Sequence, residues 1–360
     1  MGWVPSVASN VVDKAVHGGV ADLTRMPRTA LVGSPDAVLY RYDPAPGVQP
    51  LDAPPVLLVP PLGAPDFAYD LRRGCSLVEH LVTAGRTVYL VAYGRITFAD
   101  RRLGMEHWVD DVVPRAVRDT CADSGAEGVD LLGWSLGGIF CMLAAAADPA
   151  LPVHSLTVIG SPVDIAAVPL VAPLRPLAEL TGGHGLSVVY QAIGSFPAPV
   201  VSWIFQLTAV DKLLTKPLTI LSRLDDRDCL AQIEAVDHLM NNMHGYPGRV
   251  FGQIYHLLLR SNDLAEGTID LAGRTIALKE IGVPVLVVGG ENDVIAPLAA
   301  VERVAGLLTG SPEVRFHPAP GGHLGVLTGR RARTSTWTHL DRFLTDHATP
   351  AGRGGPPAEA

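Results

Sequence analysis

Gly133-Trp134-Ser135-Leu136-Gly137 sets one serine between two glycines, and the flanking residues say where that serine stands. Val129 to Leu132 is a short apolar run of strand length, and Ile139 to Ala147 is an alanine-rich helical one. A strand that turns at once into a helix crowds its own backbone. Side chains at 133 and 137 would clash there, and the sharp turn lifts the Ser135 hydroxyl clear of the sheet. The first amides of the helix point at the same spot, where their partial positive charge favours an oxyanion. The chemistry suited to this pattern is attack by Ser135 on an acyl carbonyl. A hydroxyl needs a base to take its proton, and the base needs an acid to orient it.

Two segments downstream carry side chains of the right kind. Gly289-Gly290-Glu291-Asn292-Asp293 follows the apolar run Val285 to Val288, where a carboxylate stands at a strand end. Asp293 is the expected acid, with Glu291 and with Asp164, after the run Ser155 to Ile159, as alternatives. A helix cap is the structural role open to Asp293. Gly321-Gly322-His323-Leu324-Gly325 sets an imidazole among glycines that let a loop reach across, so His323 is the expected base. Serine, acid, histidine is the chain order of α/β-hydrolases. For the oxyanion, one donor is the Leu136 amide. The second is expected from Pro60-Pro61-Leu62-Gly63-Ala64. Neither proline has an N–H, which leaves Leu62 or Gly63.

Bringing three distant loops to one place requires a scaffold, and the remaining text supplies one. Val38 to Tyr42 reads as an edge strand, Val56 to Val59 as a strand buried on both faces, and Thr87 to Ala92 as the next. Leu77 to Ala84 reads as a helix stopped by Gly85, and Trp108 to Val117 repeats apolar residues at helical spacing. This alternation implies an α/β-hydrolase fold: a mostly parallel central sheet with helices on both faces. It breaks after Asp164 and resumes with the strand at Val285, a helix from Leu298, a strand Val314 to Phe316 and a last helix from about Arg331 to Leu344. A sheet that resumes means one domain with an inserted helical cap. The expected division is an extension over 1–30 with an amphipathic helix around Val11 to Val16, core over 31–164 and 271–346, cap over 165–270, and a disordered tail over 347–360. Trp134, Trp203 and Phe205 are candidate acyl contacts, the last two in an apolar stretch suited to an acyl-binding wall or lid.

Composition narrows the function. With 48% hydrophobic and 18% charged residues, the 360-residue chain can bury a large core. A net charge of −8 and no basic stripe argue against nucleic acid. Four scattered cysteines lack metal-ligand spacing and read as free thiols in a reducing compartment; no metal and no cofactor are expected. There is no basic-then-apolar leader and no apolar run long enough to span a membrane, so a cytoplasmic protein is expected. Met1 to Ser6 fits the loose myristoylation pattern, a match too short to carry weight.

A wider set of motifs carries a resemblance. It comprises Val59-Pro60-Pro61 with Asp70-Leu71, Arg72 to Val78, Ser261-Asn262-Asp263-Leu264 with Gly267, Leu278 to Leu286, Asp293 to Pro297, and Gly322-His323-Leu324-Gly325. In these, over roughly residues 50–346, the chain resembles the polyhydroxyalkanoate synthases, most closely the short catalytic subunits of the two-subunit classes. The resemblance implies acyl transfer from hydroxyacyl-coenzyme A, with Asp293 and His323 as acid and base. Two positions depart from it: family synthases carry Cys where this chain has Ser135, and Ile-Asn where it has Gly63-Ala64. A thiolate exchanges acyl groups with thioesters at little cost, which suits chain growth. Serine makes an oxoester, which hydrolases discharge to water. The expected activity is therefore a serine hydrolase of esters or thioesters of apolar (hydroxy)acyl groups, with a hydroxyacyl-coenzyme A acyltransferase as the alternative. A granule- or lipid-surface binding module is a third reading, against which the Ser-Asp-His set speaks. Expected partners are a small acyl ester or acyl-coenzyme A, a lipid or polyester surface met through the cap, and a second copy or a partner subunit.

Overall fold

The computed structural model describes residues 19–31, 33, 37–94, 96–165, 168, 195–196, 199 and 210–348. Trp203, Phe205, the helix expected around Val11 to Val16 and the tail beyond 348 lie outside the described residues.

Eight strands build the central sheet: β1 (Thr29–Ala30), β2 (Ala37–Tyr42), β3 (Val56–Val59), β4 (Val88–Tyr93), β5 (Val129–Trp134), β6 (Val153–Ile159), β7 (Val285–Gly290) and β8 (Val314–Ala319). Their order across the sheet is β1-β2-β4-β3-β5-β6-β7-β8. From β4 to β8 every pairing is parallel, and only β1 and β2 run antiparallel to their neighbours. The segment expected as an edge strand, β2, lies second from the edge, because two residues of β1 pair outside it.

Helices among the described residues include α1 (Leu77–Thr83), α2 (Val113–Ser124), α3 (Leu136–Ala147), α4 (Val210–Ser222), α5 (Arg227–Asn241), α6 (Leu298–Leu307), α7 (Gly325–Thr328) and α8 (Thr336–Asp346). All four residues of β3 are buried. Because a strand alternates its side chains, Leu57 and Val59 pack with α2, α3 and α6 on one face. Val56 and Leu58 pack with α1, α7 and α8 on the other. That two-sided burial is why the strands read as continuous apolar runs.

Between the adjacent strands β6 and β7 the chain departs and returns. Asn262 closes that departure: its Oδ1 accepts from the Ile165 N–H (2.9 Å) and its Nδ2 donates to Asp164 Oδ1 (3.0 Å). Helix α5 of the inserted segment is fastened to the core by Arg72, which is buried and donates to Gln232 Oε1 (3.0 Å) and Asp228 Oδ1 (2.7 Å). Arg330 and Arg333 each reach the other oxygen of Asp228 at 2.7 Å. A hairpin, Thr268–Leu271 with Arg274–Ala277, ends the insertion; the helical reading of this region did not contain it. No helix among the described residues is long and apolar enough to cross a membrane.

Candidate active site

Ser135 sits between β5 and α3 with φ 57° and ψ −127°, a conformation in which only glycine is unstrained. The neighbouring glycines leave no room for side chains. A Cβ on Gly133 would lie 2.5 Å from the Gly138 Cα, and one on Gly137 would strike the backbone of Val59 and Pro60. The turn is held by the Ser135 N–H, which donates to the Ile159 carbonyl at 2.9 Å.

His323 lies with its ring between two partners. Its Nε2 is 2.8 Å from Ser135 Oγ and its Nδ1 is 2.7 Å from Asp293 Oδ2. Both His323 and Asp293 are buried. The other carboxylate oxygen of Asp293 accepts the N–H groups of Ile295 and Ala296, each at 2.9 Å. The capping role open to Asp293 and the contact with the imidazole are thus met by different oxygens of one carboxylate. Of the two alternatives, Asp164 is bonded to Asn262 and Glu291 is exposed. Trp134 is buried; its indole N–H donates to the His323 carbonyl at 3.1 Å, and the two rings lie 5.2 Å apart. Its contacts are with the histidine that faces Ser135.

The loop after β3 lies beside Gly137, and its carbonyls are tied down. The buried hydroxyl of Tyr69 donates to the Val59 carbonyl (2.9 Å) and that of Tyr93 to the Pro60 carbonyl (3.0 Å). Burial holds both phenols well above their ordinary range, so they stay protonated donors. Neither tyrosine stands out in the sequence, where a single Tyr outside any motif carries no spacing signal. Leu136 opens α3, where the first amides have no intrahelical acceptor. Leu62 and Gly63 are the central residues of a turn closed by the Ala64 N–H on the Pro61 carbonyl (3.2 Å). Of the cysteines, Cys141 is buried on α3, where burial pushes its thiol up, and none occupies the Ser135 turn. Among the described residues no group of three or more His, Cys, Asp or Glu is arranged to hold a metal ion.

The sheet, its helices and the serine turn make this an α/β-hydrolase-fold enzyme. Curated proteins to which it is similar include polymerase subunits. It is 26% identical over 334 residues, 92% of this chain and 91% of the other, to the poly(3-hydroxyalkanoate) polymerase subunit PhaC of Allochromatium vinosum. It is 23% identical over 340 residues, 94% and 93%, to the subunit of the same name from Thiocystis violacea. Among solved structures, the candidate non-heme bromoperoxidase BpoC of Mycobacterium tuberculosis H37Rv superposes with a TM-score of 0.52 at 17% identity, covering 89% of this chain and 98% of that one. A structure from work on carboxylesterases of Nitrososphaera gargenis gives 0.50 at 13% identity, with 89% and 99% covered. At these identities the solved structures speak for the fold alone. No family model matches the chain.

Proposed function

We propose that the protein is a serine hydrolase of esters or thioesters of apolar (hydroxy)acyl groups, with Ser135 as nucleophile, His323 as proton carrier and Asp293 as the orienting acid. The observation that carries this reading is the continuous line of hydrogen-bond distances from Ser135 Oγ through His323 to Asp293. Asp293 takes the Nδ1–H, which leaves Nε2 with its lone pair toward the serine. As Oγ attacks the acyl carbon, its proton passes to Nε2 and the carbonyl electron pair moves onto oxygen. Leu136 and an amide of the Leu62-Gly63 turn receive that charge. The intermediate then collapses. The alcohol or thiol leaves with the Nε2 proton, and an ester on Ser135 remains. Water delivers its own proton to Nε2 while attacking the ester, the Oγ takes that proton back, and the acid departs. Trp134 steadies the histidine through its backbone. On the same reading, residues 165–270 form the cap, and Trp203 and Phe205 in it contact the acyl chain.

A second reading is favoured by one observation, the likeness to poly(3-hydroxyalkanoate) polymerase subunits over about nine-tenths of the chain. It has the Ser135 ester passing its acyl group to a hydroxyacyl end, with a partner subunit. Serine rather than cysteine at the turn favours hydrolysis. Intact-protein mass spectrometry after mixing with 3-hydroxybutyryl-coenzyme A separates the two. We expect one acyl adduct on Ser135 and free hydroxyacid in solution. A ladder of masses spaced by one hydroxyacyl unit overturns the hydrolase reading.

A further inference from the structure

The turn at Leu62 and Gly63 is gripped by the inserted segment. The His244 N–H donates to the Gly63 carbonyl at 2.9 Å. The Tyr246 ring lies against the glycine itself: a Cβ on Gly63 would stand 2.7 Å from Tyr246 Cε2 and 2.8 Å from its hydroxyl oxygen. Tyr246 therefore fills the volume that a side chain at 63 would occupy. The Tyr246 hydroxyl oxygen is thus packed over Gly63, and burial pushes that phenol up to about 12, so at neutral pH it is neutral. Only Leu62 and Gly63 have N–H groups in the Pro60 to Gly63 stretch, since the two prolines have none.

We infer that Tyr246 is a positioning residue: it engages the Gly63 amide and wedges the turn so that the Leu62 amide is the one presented to the oxyanion. The inference rests on the Ser135 acyl-enzyme reading. It makes the geometry of the oxyanion loop depend on a segment inserted between β6 and β7. Gly63 is then required because the tyrosine ring is already there, and not because the backbone conformation demands it.

The test is a double-mutant cycle read by the p-nitrophenol burst from p-nitrophenyl butanoate, with thermal unfolding of each variant as the folding control. Tyr246→Phe keeps the ring and removes the acceptor. Acylation should fall about threefold to tenfold, as expected for one neutral hydrogen bond, with KM little changed. Gly63→Ala in the wild type drives a methyl into the ring and should cost on the order of 100-fold in acylation. In the Tyr246→Ala background the same substitution should cost less than about threefold further, because the obstacle is gone. A rise in acylation for Tyr246→Phe would mean that the phenol had been blocking Gly63 as the donor, and overturns the inference. Additive losses in the cycle overturn it as well. Absence of any burst in the wild type instead removes the acyl-enzyme reading on which it stands.

Discussion

Replacing Asp293 by asparagine isolates what the carboxylate does for His323, because the substitution leaves most of its hydrogen bonds in place. The oxygen of the new side-chain amide can accept from Ile295 and Ala296 as Oδ1 does now, so the turn before α6 keeps its caps. The change falls on the 2.7 Å contact with Nδ1. An NH2 group there donates, Nδ1 must accept, and the ring proton moves to Nε2, which then faces Ser135 with no lone pair to offer. Were the effect merely one lost charge-assisted hydrogen bond, it would cost about 1.5–3 kcal/mol, or tenfold to 150-fold. The wrong tautomer costs on the order of 10⁴ in kcat, near 5 kcal/mol. Stopped-flow release of p-nitrophenol measures the difference, and an unchanged Tm shows that the loss is chemical. Asp164→Asn is the control, since its carboxylate partner is Asn262, and the amide oxygen introduced there can keep that bond. A loss of only tens-fold in Asp293→Asn, or a larger one in Asp164→Asn, refutes the assignment.

Three other outcomes are expected. Ser135→Gly should relieve the positive φ and add about 1 kcal/mol of stability, raising Tm by roughly 2 °C over Ser135→Ala, while both lose turnover; equal melting points for the two would mean that the turn carries no strain. Ser135→Cys should still be acylated, because His323 can deprotonate a thiol, and should accumulate the adduct as hydrolysis slows; undiminished turnover in mass-resolved kinetics would contradict this. Asp130, buried on β5 with the Ser155 hydroxyl at 2.7 Å and Arg86 at 3.8 Å, has its carboxyl pushed up to about 6 by burial. A raised pKa means the folded state holds the proton more tightly. That contribution to stability is full below about 4 and is lost as pH climbs through about 6. Asp130→Asn should therefore remove part of the fall in Tm between about pH 4 and pH 7, and an unaltered Tm–pH curve would count against it.

The serine turn was legible because its demands are local. Two glycines at fixed offsets from Ser135, a buried strand before and a helix after are covalent neighbours, and sterics within a few residues dictate them. The strands were legible for a related reason, since burial on both faces writes itself as an unbroken apolar run, as in β3 and β7. The hairpin that ends the insertion was written in the sequence too, as alternation around Ala272-Gly273 with φ of 51° and 80°, but helical text on one side masked it. Other features depended on how the chain returns on itself. Asp164, Glu291 and Asp293 all follow strands, and only the fold sets Asp293 against an imidazole that lies 188 positions from Ser135. Arg72 and Asn262 stood out as motif residues, yet their work, pinning α5 and closing the insertion, is visible only once their partners are in place. Tyr246 against Gly63 is the extreme case. A missing side chain and the ring that fills its place are complementary in shape, and shape complementarity between distant segments leaves no periodic trace in either.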